Sequence, residues 1–252
     1  MDLSVIIGMI GALVTISVGD LMEGGNPVHV VHITSIIIVF PTAMLAAATG
    51  TESHAIKAAF SELKMVFKKS PVNFESRIDD LVDYAITVKK FGVLALEKDL
   101  VTIEDEFLKE ALSMVVDGTK EEQIEESLEA IIEETEHYYH GASHYWLLAG
   151  ETCPVMGLVG AVLGLILALQ KLDNPKEMAE GIAGAFTATV TGIAGAYMFL
   201  GPWGNKMKAK SHLIIKDKQL ILAGAKAMAR GDVPGELKLK LTKMITSMPA
   251  KV

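Results

Sequence analysis

Apolar and polar positions along this chain fall into blocks rather than alternating residue by residue. Residues 3–18 are apolar apart from Ser4, Thr15 and Ser17, and the run closes at Gly19-Asp20. A turn at Glu23-Gly24-Gly25-Asn26-Pro27 leads into a second apolar run, 28–48, with Pro41 inside it. Further on, residues 155–169 and 182–203 carry no charged side chain. With its flanks, each run is long enough for a hydrocarbon core, which takes about 20 helical residues. The pattern predicts transmembrane helices at 1–20, 28–48, 144–172 and 180–204. No stretch shows strand alternation, so the expected fold is an all-α membrane protein with four transmembrane helices.

Between the second and third runs, residues 49–143 read as a helical domain without an obvious core of its own. Ala55 to Phe67 is amphipathic, and Ser70-Pro71 breaks it. Helical spacing returns through Ile78, Leu81, Val82, Ala85, Ile86 and Val88, and a further helix, 99–116, stops at Asp117-Gly118. Thr119-Lys120-Glu121-Glu122 is a capping-box start. The helix it opens carries Glu121, Glu122, Glu125, Glu126, Glu129, Glu133, Glu134 and Glu136, a run that reads as a solvated face. Residues 205–252 form a basic helical tail interrupted at Gly231-Asp232-Val233-Pro234-Gly235.

The last two apolar runs differ from plain anchors. Gly157, Gly160, Ala161, Gly164 and Ala168 recur three or four apart, as do Gly181, Gly184, Ala185, Ala188, Thr189, Gly192 and Ala196. Such spacing puts each set on one helix face. Small faces let backbones approach closely, which drives helix association in lipid, where burial of apolar area cannot. Pro154 stands near the start of one run and Pro202 near the end of the other. Each removes a backbone donor, so a bend is expected at both, on the same membrane face. Glu151 lies one turn before Pro154 and places an acid at that mouth.

Charge sets the orientation. Lysine and arginine number ten in 49–143 and eleven in 205–252, against none in 19–27 and only Lys171 and Lys176 in the polar turn 170–180. The positive-inside rule then puts the central domain, the tail and the N-terminus in the cytoplasm. The first helix follows the initiator methionine with no basic n-region, so it reads as a retained span rather than a secretory signal. A net charge of −8 argues against general nucleic-acid affinity. The single cysteine, Cys153, excludes an internal disulfide, and no Cys/His cluster suggests zinc. His29 and His32 share a helix face beside a loop and read as interfacial side chains.

A Walker loop, a nucleophile elbow and a His-Glu-x-x-His pattern are absent, so no enzymatic role is expected and no cofactor is implied. An ion gradient is the natural energy source, since one charge crossing 100 mV is worth about 2.3 kcal/mol. Yet the four runs hold no central carboxylate, and Thr189 is the best polar candidate at depth. A titrating acid would have to come from a partner.

Cys153-Pro154-Val155-Met156-Gly157-Leu158-Val159-Gly160-Ala161-Val162-Leu163-Gly164 and Leu200-Gly201-Pro202-Trp203 resemble the paired proline segments of the MotA/PomA family, the A-subunits of flagellar stators. The resemblance extends over nearly the whole chain. It implies a multi-pass protein of the bacterial inner membrane, five copies of which surround a dimer of a MotB-type subunit. The last two spans would line the bore, opposite an aspartate on the partner's helix. Pro154 and Pro202 match the family's two prolines, Glu151 an acidic position before the first, and Thr189 a threonine of the ion path. Ala161 falls where sodium-driven members resemble one another in having threonine. Lacking that oxygen, the site suits protons rather than sodium. Lys89-Lys90-Phe91-Gly92-Val93-Leu94-Ala95-Leu96-Glu97 resembles the segment that engages the rotor switch-complex protein FliG, with lysine where arginine is usual at 89 and Glu97 as the acidic member. The related ExbB/TolQ-type energisers of outer-membrane transport are the alternative. They generally have three spans, whereas four are expected here.

Overall fold

The computed structural model describes residues 2–26, 32–70 and 72–246. Pro27, His29, Pro71 and residues 247–252 of the expected tail lie outside the described residues. In order, the helices are α1 (Leu3–Met22), α2 (Ile33–Thr49), α3 (Ser53–Ser61), α4 (Leu63–Phe67), α5 (Phe74–Phe91), α6 (Glu97–Leu100), α7 (Glu106–Val116), α8 (Glu121–Leu169), α9 (Pro175–Ala194), α10 (Gly201–Arg230) and α11 (Pro234–Thr246). A 3-10 turn, Val93–Leu96, precedes α6, and a π-helical turn, Gly195–Leu200, joins α9 to α10. Among the described residues there is no strand. The chain is all-α, as the spacing predicts.

By length and composition, three helical stretches among the described residues are apolar enough to cross a membrane: α1, α8, and the continuous helical stretch Pro175–Arg230. The described part of the second run, α2, is a shorter apolar helix of 17 residues. Pro41 and Pro154 both lie inside helices rather than at their ends. The 49-residue α8 runs unbroken through residue 143, where the sequence suggests a change from polar domain to span.

The chain packs as two units, which cut across the expected segments. The first comprises 1–69 and 138–210. Its fixed point is Trp146, 1% exposed, whose indole donates to the Ala59 carbonyl at 3.0 Å. Phe60 and Trp203 meet that ring edge-on, at 5.1 and 5.4 Å between centroids. The Tyr145 hydroxyl donates to the Met44 carbonyl and that of Thr152 to the Ala43 carbonyl, so α8 is fastened to α2. By contrast α1 is apolar all round and buries none of its residues. Its N-terminal end is held by a charge cluster. The Asp2 carboxylate lies 2.9 Å from the Lys206 ammonium and 3.0 Å from that of Lys210. Lys210, 4% exposed, also donates to the carbonyls of Met65, Val66 and Lys68. A buried ammonium needs partners of this kind, because desolvation penalises the charge.

The second unit comprises 70–137 and 211–252. Here the central segment acquires the core that its own sequence does not display. Leu81, Leu96, Leu112, Ile124 and Leu128 pack with Leu220, Ile221 and Leu241 from the tail, all eight fully enclosed. The Arg77 fork donates twice to Asp217, both at 2.9 Å, and once to Asp105. Asp105 in turn caps α7 through the amides of Phe107 and Leu108. Bidentate pairing of this kind fixes orientation as well as charge. The helix whose spacing runs through Ile78 to Val88 ends at Phe91, where Gly92 adopts φ 84°, a conformation most side chains resist.

Candidate functional site

The small-residue faces of α8 and α9 meet backbone to backbone. A Cβ built on Gly157 would stand 2.9 Å from the Ala188 carbonyl oxygen and 3.1 Å from Gly192 Cα. Two turns along, a Cβ on Gly164 would reach Ala185 Cα at 3.1 Å, and further out one on Gly181 would reach Ala168 Cα at 3.2 Å. Contacts this short leave no room for a methyl group, which is why glycine and alanine recur here. Gly184 departs from the expectation: nothing lies within 4 Å of its Cβ position, so it stands outside the contact. The neighbouring α2 supplies a polar tie that spacing alone does not reveal. Ser35, 3% exposed, is 3.3 Å from the Thr187 hydroxyl.

Thr189 lies on the same level, with its Cα 3.4 Å from the Cβ position of Gly157. It is half-buried, and its hydroxyl donates to the Ala185 carbonyl of its own helix at 3.4 Å. Ala161 is buried, at 9% exposure. Glu151 is exposed, next to Gly150, whose Cβ position lies 2.9 Å from the Gly201 amide nitrogen. Pro154 is half-buried, its Cα 3.2 Å from the Cβ position of Gly192, whereas Pro202 is exposed. The turn ahead of Pro202 is π-helical: the Gly201 amide donates to the Ala196 carbonyl, five residues back. A Cβ at 201 would sit 2.7 Å from that oxygen, so the turn requires glycine there. One end of the α8–α9 contact therefore gathers Glu151, Pro154 and Pro202.

The other candidate surface lies in the second unit. Lys89 and Lys90 close α5, Glu97 opens α6, and all three are exposed. Lys89 is also tethered, donating to the Gly231 carbonyl at 2.8 Å. Between and beside these charges Phe91, Leu94 and Val101 are 74%, 67% and 83% exposed. Hydrophobic spacing alone assigns such residues to a core. Among the described residues, no group of three or more His, Cys, Asp or Glu is arranged to hold a metal ion.

Comparison with known proteins agrees with this layout. The model of the MotA/TolQ/ExbB proton channel family matches residues 99–219. Over 245 residues the chain is 54% identical to Motility protein A of Helicobacter pylori (strain ATCC 700392 / 26695), covering 97% of this chain and 95% of that protein. A chain of the C. jejuni MotAB structure superposes with a TM-score of 0.94 at 50% identity, covering 100% of this chain and 99% of the other. One from the flagellar MotAB stator complex of Bacillus subtilis gives a TM-score of 0.86 at 30% identity, covering 97% and 95%. With identity of this extent over nearly the whole of both chains, this chain belongs to the MotA/TolQ/ExbB proton channel family, among its Motility protein A members.

Proposed function

We propose that the chain is the A-subunit of a proton-driven flagellar stator, which couples ion flow across the bacterial inner membrane to torque on the rotor. The observation that carries this reading is the α8–α9 contact, tight and with half-buried Thr189 beside it, but free of carboxylate between residues 152 and 203 apart from the polar turn. A path of that kind needs its titrating acid from outside, which a MotB-type dimer inside a ring of five such chains supplies. Four spans with both termini cytoplasmic follow from the lysine and arginine distribution. Lys89, Lys90 and Glu97 then steer the rotor switch-complex protein FliG through complementary charge.

Ala161 offers no hydroxyl, and a dehydrated sodium ion needs several hard oxygens, so protons are the coupling ion. The test is ion flux in vesicles containing this chain and its B-subunit. Flux should follow the proton gradient, persist when sodium is replaced by potassium, and vanish when the partner's membrane aspartate is changed to asparagine. Flux that stops on sodium removal at constant proton gradient overturns the choice of ion. A complex that conducts no ion under any gradient overturns the reading itself.

A further inference from the structure

His140 and His144 stand four residues apart on α8, both exposed, with ring centroids 6.0 Å apart and planes 10° from parallel. The intervening residues hold this face outward. A Cβ on Gly141 would lie 2.9 Å from the Ala55 side chain, Ala142 and Ser143 are 0% and 2% exposed, and Trp146 is locked by its bond to Ala59. The rotation of the helix is thus fixed, and the two imidazoles project from a rigid element, which favours a defined ligand geometry.

Two histidines at this spacing on one helix face are a recurrent way to grip a transition metal. With metal–nitrogen bonds of about 2.0–2.1 Å, the donor nitrogens must converge from the stacked arrangement. Rotation about χ2 brings them together, and that torsion is soft in histidine. We propose that His140 and His144 bind one divalent transition-metal ion of the zinc, nickel and copper class, with water filling the remaining positions. Imidazole selects such ions over magnesium and calcium. The sequence motif sought for zinc, His-Glu-x-x-His, misses the pair because residue 141 is glycine.

The site has a functional consequence. Glu151 is seven residues beyond His144, on the same exposed side of α8 and about 10 Å along the axis at 1.5 Å per residue. That exceeds the Debye length of about 8 Å at physiological salt but lies well within the length of about 30 Å at about 0.01 M. At low ionic strength a bound dication therefore repels cations approaching the acid, and occupancy slows ion flux. This consequence rests on the stator reading, whereas metal binding does not.

The test titrates zinc ion alone into the purified full-length protein by calorimetry, with unfolding midpoints measured alongside. Loss of even an outer partner of a metal ligand costs about 10–100-fold in affinity. Zinc affinity should therefore fall at least about tenfold in H140A and in H144A, remain unchanged in H137A, and be exceeded by copper in the unmodified protein. Because both rings are exposed, metal-free midpoints should not move. A double variant H140A/H144A that binds zinc as tightly as the unmodified protein overturns the site, as does H137A losing as much affinity as H140A. In conducting vesicles at about 0.01 M ionic strength, zinc should inhibit the unmodified complex and spare the double variant. Equal inhibition of both overturns the functional consequence and leaves the binding result standing.

Discussion

Gly157 and Gly192 face each other across α8 and α9 with their backbones touching. A Cβ on Gly192 would lie 3.0 Å from Gly157 Cα and 2.7 Å from the Cys153 carbonyl oxygen. Overfilling a packed contact costs about 1–3 kcal/mol, so Gly192→Ala should lower both the unfolding midpoint and the amount of assembled protein. Gly184→Ala is the control. Its Cβ meets nothing within 4 Å, and alanine is the better helix former by about 1 kcal/mol, so it should be neutral or stabilising. Equal damage from both substitutions in detergent-solubilised protein contradicts the assigned contact face.

Pro154 and Pro202 are placed at one end of this contact, and their proposed role is mechanical. Proline is about 3 kcal/mol less favourable than alanine in a helix interior. Pro154→Ala should therefore yield protein of normal or raised abundance that still assembles with its B-subunit. If bending is needed for rotation, torque falls in those same cells. Normal torque in Pro154→Ala and Pro202→Ala removes the hinge, and torque that merely tracks protein level makes the prolines structural.

Lys90→Glu and Lys89→Glu should separate charge from packing. Exposed charges add little to folding, so Lys90→Glu should leave the unfolding free energy within about 0.5 kcal/mol of the unmodified protein while reducing torque. Lys89→Glu also loses the bond to the Gly231 carbonyl, and its midpoint should drop further. A compensating charge on the rotor should restore part of the torque in Lys90→Glu. Normal swimming by the double reversal at low stator number rules out this face as the rotor contact.

The Asp2 cluster predicts a pH dependence. The Ser4 hydroxyl and the ammonium groups of Lys206 and Lys210 donate to the Asp2 carboxylate, and together they hold it well below the usual carboxylate range. A carboxylate depressed in the folded state contributes stability that is present above its unfolded value, about pH 3.9, and is lost as pH falls through the folded value. Asp2→Asn leaves the buried Lys210 ammonium short of its countercharge, a loss of about 1–3 kcal/mol. The gap in unfolding midpoint between this variant and the unmodified protein should hold from pH 7 down to about pH 4 and close only at lower pH. A gap that closes between pH 7 and pH 5 contradicts the assigned ion pairs.

Much of this protein is legible in its sequence because the signals are local. Uncharged runs specify apolar helices, the three-and-four spacing of glycine and alanine specifies a close-packing face, and Asp117-Gly118 specifies a stop, realised with Gly118 at φ 68°. These depend on residues within a turn or two of one another. The tertiary structure decided what depends on residues far apart in the chain. It selected Gly157, Gly164 and Gly192 for the contact and left Gly184 out, since the crossing of two helices picks only part of each stripe. It brought Leu220, Ile221 and Leu241 of the tail to complete the core of the central segment, which lacks enough apolar surface to close alone. It buried Lys210 against Asp2, two charges about two hundred residues apart in a chain where lysine ordinarily marks a solvated surface. It also turned His140 and His144 outward, because the burial of Trp146 and Ala142 fixes which side of α8 remains exposed. Helical periodicity specifies faces, and only packing assigns each face its partner.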